Sequence, residues 1–218
     1  MEHFADMGVL DRNVRFCHMN ALSDHEVSLI REFQVKPVHV ILAAMKAGYG
    51  ATVSGKHPEM LAAGVPVSLG SDGSNASNTF DMVRAMYCVA GIYKDSRLDN
   101  ELVPAEQAIE MATLNGAKSV LMEDHIGSLE TGKFADIVLF DRKRPEWLPM
   151  INPVNNLVYS ADGRSVHTVL VGGRVVVEGF RSTLFDEDEL YAEIEAIDWA
   201  QRFKERTGLP LKMRWPMS

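Results

Sequence analysis

Residues 58–73 read PEMLAAGVPVSLGSDG, and they contain a helix, a strand and a carboxylate in that order. The helix runs through Met60 and Leu61 and ends at Gly64. The apolar residues 65–69 then form a short strand, because an apolar run of this length bounded by glycines is typical of a buried strand. The glycines on either side of Asp72 allow the backbone to turn sharply and present that carboxylate at the strand's carboxyl end.

The strand at 65–69 is the third of three, and each is followed by a loop and a helix. A β-prone run at 14–18 precedes the capping box of Ser23 and Glu26, which predicts the start of a helix. A second apolar run at 35–42 is followed by a glycine-rich loop at 48–55 and then by the helix already described. Three strand–loop–helix units in succession predict parallel pairing with right-handed crossovers.

The predicted fold class is therefore α/β, with three strands of a (β/α)8 barrel in residues 1–126. Three strands cannot close such a barrel, because a filled barrel needs about 8. Further helices complete this part, at 79–93, 105–113 and 115–122.

A different pattern, typical of antiparallel β structure, follows in residues 127–181. Residues 135–140 form a strand, and residues 166–171 join 174–178 through Gly172 and Gly173, a two-residue hairpin signal. The remaining residues, 182–218, are predicted to be a helical extension that begins at Asp186. Its buried stripe is predicted to be Leu190, Ile194 and Ile197.

Composition excludes several classes of protein. Hydrophobic residues make up 46% of the chain and the net charge is −8, which favours a folded core and argues against a nucleic-acid surface. No apolar stretch approaches the roughly 20 residues that span a bilayer, and no signal-peptide pattern opens the chain. The only cysteines, Cys17 and Cys88, form no CxxC pair. We therefore expect a cytoplasmic protein with no disulfide framework.

Three side chains at predicted strand ends could carry chemistry. Asp72 could ligate a metal and accept the proton of a water that the metal activates, although a carboxylate there could equally cap the next helix. His18 ends the first strand and could bind metal or hydrogen-bond a nucleophile, and His39 ends the second. Either histidine could instead be structural. The coincidence of all three at one rim favours a site, yet the chain has no HxH or HxxE motif to complete a metal sphere.

These motifs resemble the amidohydrolase superfamily, specifically the triazine hydrolases and the guanine and S-adenosylhomocysteine deaminases. The stretch 58–73, continuing to Ser77 and Asn78, is similar to the family's seventh helix and eighth strand. Residues 127–139 and 169–176 are similar to its return into a small β-sandwich. The resemblance implies strands six to eight of the barrel, part of the sandwich and a C-terminal helix.

The resemblance also implies roles for individual residues. Asp72 matches the strand-eight metal ligand that shuttles protons, and His18 matches the strand-six histidine that contacts the hydroxide, the substrate or a second metal. His39 matches a strand-seven histidine and, like Asn75 in the loop after Asp72, is a candidate for substrate binding. Around His39 the sequence departs from the family pattern, since Ile41 replaces a proline and alanines stand at 43 and 44.

The family's strand-one HxH and its strand-five histidine and glutamate have no counterpart here. We therefore expect the C-terminal half of a metal-dependent hydrolase, arising as a truncated product, a part of a longer chain or one piece of a split enzyme. The resemblance implies zinc or iron as cofactor and a nitrogen-heterocyclic small molecule as substrate. It leaves two alternatives open: a non-catalytic module that pairs with a complementary N-terminal half or a second copy, and a hydrolase that opens cyclic amides.

Overall fold

Three parallel strands form the first sheet of the structure, a computed structural model that describes residues 1–210. They are β1 (Arg15–Cys17), β2 (Lys36–His39) and β3 (Ser68–Leu69), and they lie side by side in that order. Arg15 pairs with Lys36, and Val38 pairs with Ser68. The predicted parallel pairing is confirmed.

Helices follow each of these strands. Ser23 caps the first of them, its hydroxyl accepting from the Glu26 N–H while the Glu26 carboxylate accepts from the Ser23 N–H, so the capping box is confirmed. The helices of this part are α1 (Glu2–Asp6), α2 (Asp24–Glu32), α3 (Ile41–Ala47), α4 (Ala51–Ser54), α5 (His57–Ala62), α6 (Ser74–Ser77), α7 (Met82–Arg97), α8 (Ala105–Ala112) and α9 (Leu114–Ser119).

One apolar core joins the first sheet to its helices. Five of its helices, α2, α3, α5, α7 and α8, each contribute at least one fully buried side chain, among them Ile30, Ile41, Met60, Val89 and Met111. Burying a side chain of this size contributes about 1.5–3 kcal/mol, so these contacts outweigh any single polar contact at the surface.

The second sheet is antiparallel and has the order β4–β5–β6–β7. Its strands are β4 (Ile137–Phe140), β5 (Val166–Val171), β6 (Arg174–Glu178) and β7 (Arg181–Ser182). Gly172 and Gly173 both have positive φ, 55° and 81°, as a tight hairpin turn requires. The predicted hairpin is confirmed. Short helical segments link β4 to β5: Pro145–Trp147, α10 (Pro153–Asn155), Asn156–Ser160 and Gly163–Ser165.

The second predicted strand is shorter than expected. Strand β2 ends at His39, and α3 begins at Ile41, within the apolar run that the sequence assigned to the strand. The sequence LAAMKA at 42–47 explains this boundary, because alanine, leucine, methionine and lysine all have high intrinsic helix propensities. The glycine-rich loop at 48–55 likewise contains the single turn of α4.

The predicted C-terminal helix is two helices, α11 (Glu187–Glu195) and α12 (Trp199–Thr207). Asp186 caps α11 as expected, but the predicted buried stripe is wrong for two of its three residues: Leu190 and Ile194 are 36% and 42% exposed, while Ile197 is half-buried. An amphipathic stripe is buried only where another element covers it, and in residues 1–210 this stripe faces solvent. Part of the predicted extension, residues 211–218, lies outside the described residues.

Two edges of the parallel sheet are open. Strands β1 and β3 each pair with β2 on one side, and no other strand of residues 1–210 pairs with them on the other. Within the same residues no helix combines the length and the apolar character needed to cross a membrane. The described chain is thus an α/β segment with an unclosed sheet and a separate antiparallel sheet.

Candidate functional site

The side chains of His18 and Asp72 meet at the carboxyl ends of the parallel strands. His18 directly follows β1, and Asp72 lies three residues beyond β3. Both residues have positive φ, 69° and 62°. This conformation is uncommon for residues other than glycine, and it is found often at functional sites. Nε2 of His18 lies 3.3 Å from Oδ2 of Asp72.

The Asp72 carboxylate is oriented by its own loop. Oδ1 accepts a hydrogen bond of 2.6 Å from the N–H of Gly73, which leaves Oδ2 directed at His18. About a third of each side chain is exposed, 35% for His18 and 32% for Asp72. The pair is therefore held by the protein and is accessible to a small molecule.

An aromatic side chain that the sequence did not single out lies beside this pair. The ring of Tyr49 packs edge-on against the His18 ring, with centroids 5.7 Å apart, and Tyr49 itself is 56% exposed. Gly48 and Gly50 flank it, and both have positive φ. A lone aromatic residue between two glycines, in the loop that joins α3 to α4, is the sequence signal that could have identified it.

Of the two candidate substrate-binding residues, only Asn75 is exposed, and it lies in α6 three residues beyond Asp72. Its backbone carbonyl accepts a hydrogen bond of 3.1 Å from Lys46 Nζ, which links the loop to α3. His39, by contrast, is fully buried. It therefore lies beneath the rim and not at the rim surface, where the sequence pattern predicted it.

His39 belongs to a buried cluster with two residues that the sequence did not reveal, His57 and Tyr93. The Tyr93 hydroxyl lies 3.0 Å from Nε2 of His39 and 3.0 Å from Nδ1 of His57. Nε2 of His57 in turn lies 2.9 Å from the carbonyl oxygen of His18. His57 begins α5 and Tyr93 lies in α7, so no short sequence motif could have brought them together.

Burial keeps this cluster neutral. Desolvation lowers the pKa of His57 to about 4. Desolvation, with a smaller contribution from the neighbouring His57, also holds the pKa of His39 well below its ordinary value. Burial raises the pKa of the Tyr93 hydroxyl. All three groups are uncharged at neutral pH.

The donors at the rim fit part of a metal site. Imidazole nitrogen and carboxylate oxygen are both zinc ligands, and Nδ1 of His18 is buried without a hydrogen-bond partner in the described chain. A catalytic zinc site uses three protein ligands, however, and residues 1–210 contain no group of three His, Cys, Asp or Glu side chains that could hold a metal. The rim supplies two suitable donors and needs at least one from elsewhere.

Comparison with known proteins identifies the family. The amidohydrolase family model matches residues 4–176. The 5-methylthioadenosine/S-adenosylhomocysteine deaminase of Moorella thermoacetica is 37% identical over 188 residues, which are 86% of this chain and 43% of that protein. The 5'-deoxyadenosine deaminase of Methanosarcina mazei is 35% identical over 190 residues, which are 87% of this chain and 43% of the relative.

Solved structures show the same fold. An adenosine deaminase from Xanthomonas campestris with bound zinc superposes with a TM-score of 0.87 at 26% identity, over 94% of this chain and 45% of that one. An atrazine chlorohydrolase from Arthrobacter aurescens complexed with zinc gives a TM-score of 0.80 at 22% identity, over 89% of this chain and 43% of that one. The chain spans less than half the length of the curated relatives it matches. It belongs to the amidohydrolase family.

Proposed function

We propose that this chain is the C-terminal portion of a metal-dependent amidohydrolase that hydrolyses a bond from a ring carbon of a nitrogen heterocycle to an amino group or a halide. The observation that carries the proposal is the 3.3 Å approach of His18 Nε2 to Asp72 Oδ2 at the open ends of parallel strands. In α/β barrels that end of the sheet is where catalytic residues lie. The names of the matched relatives, which are deaminases of adenine nucleosides and a chlorohydrolase of a triazine, support the substrate class.

The two rim residues have different parts in this reaction. Asp72 would hold the divalent ion, for which zinc is the first candidate and iron the second. Such an ion supplies a nucleophile near neutral pH by lowering the pKa of water. The Asp72 carboxylate would take the proton that water loses and return it to the leaving amino group. His18 would donate from its ring to the developing charge on the substrate or on the nucleophile.

The loops above the rim would hold the heterocycle. Tyr49 offers an exposed aromatic face next to His18, and aromatic rings stack favourably on planar heterocycles. Asn75 offers amide groups on the loop that carries Asp72. His39 would affect substrate binding only indirectly, because its ring is fully buried beneath this surface.

The remaining ligands would come from a complementary N-terminal half. The two open edges of the parallel sheet are the places where further barrel strands would pair, and the rim lacks at least one metal ligand. A second copy of this chain would repeat the same two donors. We therefore favour a partner segment that carries the other barrel strands.

Mixing this chain with the N-terminal portion of a full-length relative, such as the Moorella deaminase, tests the proposal. With zinc, the mixture is expected to release ammonia from an adenine nucleoside, whereas neither part alone does so. Asp72→Asn should abolish release, and Asp124→Asn, at an exposed loop carboxylate, should not.

Three results would count against it. An assembled mixture that yields neither ammonia from the nucleoside nor chloride from a chlorotriazine would overturn the proposed chemistry. A carboxylate formed from a cyclic amide would instead establish ring opening. Tightly bound zinc and turnover in this chain alone would show that no partner is needed.

A further inference from the structure

We infer that His57, Tyr93 and His39 form a positioning cluster that fixes the backbone of His18 and so directs its ring at the rim. The importance of the cluster for catalysis rests on the proposed function, which gives the His18 ring a role in the reaction. The cluster itself is inferred only from the distances between its residues. None of its three residues touches the rim surface, so they are positioning residues and not catalytic ones.

The backbone at His18 requires such support. His18 and Met19 have φ angles of 69° and 51°, two consecutive non-glycine residues in the left-handed region. Each such residue costs of the order of 1 kcal/mol or more, and it persists only where surrounding contacts hold it. The His18 N–H donates to the carbonyl oxygen of Val38 and the Met19 N–H to that of Cys17, each at 3.0 Å, and the His18 carbonyl accepts a hydrogen bond of 2.9 Å from His57 Nε2.

The hydrogen-bond partners determine where each proton of the cluster lies. A carbonyl oxygen can only accept, so His57 must carry its proton on Nε2. Nδ1 of His57 is then an acceptor, and the Tyr93 hydroxyl donates to it at 3.0 Å, a shorter distance than the 3.4 Å to its other acceptor, the carbonyl oxygen of Ala51. The oxygen of that hydroxyl is left to accept from Nε2 of His39, also at 3.0 Å. One neutral tautomer of each histidine satisfies these three contacts, and it leaves Nδ1 of His39 as an acceptor without a partner in the described residues.

This arrangement anchors His18 but does not exchange protons with it. The chain of hydrogen bonds ends on a backbone oxygen, which does not titrate, and the His18 ring instead faces Asp72 and Tyr49. His57 and Tyr93 lie in α5 and α7, which pack into the same buried core. The cluster thus connects two helices of the core to the residue that follows β1.

The test is an NMR comparison of the full chain, without metal, in the His57→Phe and His57→Gln variants. Phenylalanine fills the ring's space but cannot donate, whereas the glutamine amide nitrogen reaches the position of Nε2. We expect His57→Phe to move the carbonyl carbon signal of His18 upfield and to remove the nuclear Overhauser contact between the His18 and Tyr49 rings. We expect His57→Gln to keep the contact and most of the carbonyl shift.

Ile30→Ala is the control for general destabilisation. Ile30 is fully buried and lies with Val35 and Lys36 beside the opposite end of β2. The Ile30→Ala variant should lower the free energy of unfolding but leave both His18 signals unchanged. Tyr93→Phe, which keeps the His57 ring but removes its partner, should weaken the same contact in a folded chain.

Unchanged His18 signals in both His57→Phe and Tyr93→Phe would overturn the inference, as would equal changes in Ile30→Ala. The comparison uses no metal and no substrate, so a failure of zinc binding or of turnover would bear on the proposed function alone.

Discussion

The imidazole rings of His39 and His57 are stacked, with centroids 3.7 Å apart and 22° between their planes. Two imidazolium rings at this distance would repel each other strongly, and both rings are fully buried. The stack is therefore compatible only with neutral histidines. It links the stability of the core to pH.

The free energy of unfolding is expected to fall as the pH falls from about 6.5 to about 4. Unfolded histidine binds a proton near pH 6.5, whereas burial lowers the pKa of His57 in the folded chain to about 4. Between these values the unfolded state binds more protons, so acid favours unfolding. His57 alone accounts for about 3 kcal/mol across this range, and His39 adds to it in the same direction.

Urea unfolding at a series of pH values between 4.5 and 7.5 measures this dependence. His57→Gln removes the titrating group and should flatten the curve, while His25→Gln, at an exposed histidine, should leave it unchanged. A curve of the same steepness in His57→Gln would contradict the prediction.

Tyr93→Phe is expected to lower the free energy of unfolding by about 2–4 kcal/mol. The change deletes a hydroxyl that bridges two buried ring nitrogens, and each buried polar group left without a partner costs about 1–3 kcal/mol. Tyr87→Phe on the same helix is the matched control. Tyr87 is 53% exposed, and its substitution should change stability by no more than about 0.5 kcal/mol. Equal effects of the two variants would show that the bridge contributes nothing.

Gly70→Ala is expected to destabilise the protein by about 1–3 kcal/mol, the usual cost of overpacking a core. An added Cβ would lie 2.8 Å from Cγ1 of Val38 and 3.0 Å from Cγ1 of Val40, and β-branched side chains cannot turn away freely. Gly91→Ala, within α7, has no atom within 4 Å of the added carbon. It should stabilise the helix by about 0.5–1 kcal/mol. Thermal unfolding would separate the two, and a stable Gly70→Ala would contradict the geometry.

The elements with strong local signals could be predicted from the sequence. The capping box at Ser23, the hairpin at Gly172 and Gly173, and the parallel order of the strands all depend on neighbouring residues, and the structure has them. The pairing of His18 with Asp72 also follows from local patterns, because each residue lies just beyond the carboxyl end of a strand of one parallel sheet.

The contacts between distant residues could not be predicted. His57 and Tyr93 are 36 residues apart, and they meet only because the tertiary fold brings the first residue of α5 next to Tyr93 of α7. The burial of His39 depends on the same packing, since a histidine at a strand end can face either the rim or the core. The exposure of Leu190 shows the opposite case, in which a periodic pattern has no element to cover it.

Arg97→Met is expected to loosen the segment at residues 51–57 while the rest of the core stays protected. The Arg97 guanidinium donates to the carbonyl of Val53 at 2.6 Å and to that of Gly55 at 2.8 Å, and it lies 3.3 Å from the Glu59 carboxylate. These contacts attach the segment that leads to His57 to the end of α7. Without them, local opening becomes easier, and amide hydrogen exchange there should be faster.

Hydrogen exchange followed by mass spectrometry measures this effect, and Arg97→Lys provides a finer test. Lysine keeps the charge, but a single ammonium lacks the planar fork that reaches two carbonyls at once. The exchange rate of residues 51–57 in Arg97→Lys should therefore lie between the native rate and the Arg97→Met rate. Arg164→Met, at a side chain that is 87% exposed and pairs only with nearby Asp162 in the described chain, is the control and should not affect residues 51–57. Unaltered exchange of that segment in Arg97→Met would mean that α4 and the start of α5 are held by apolar packing alone.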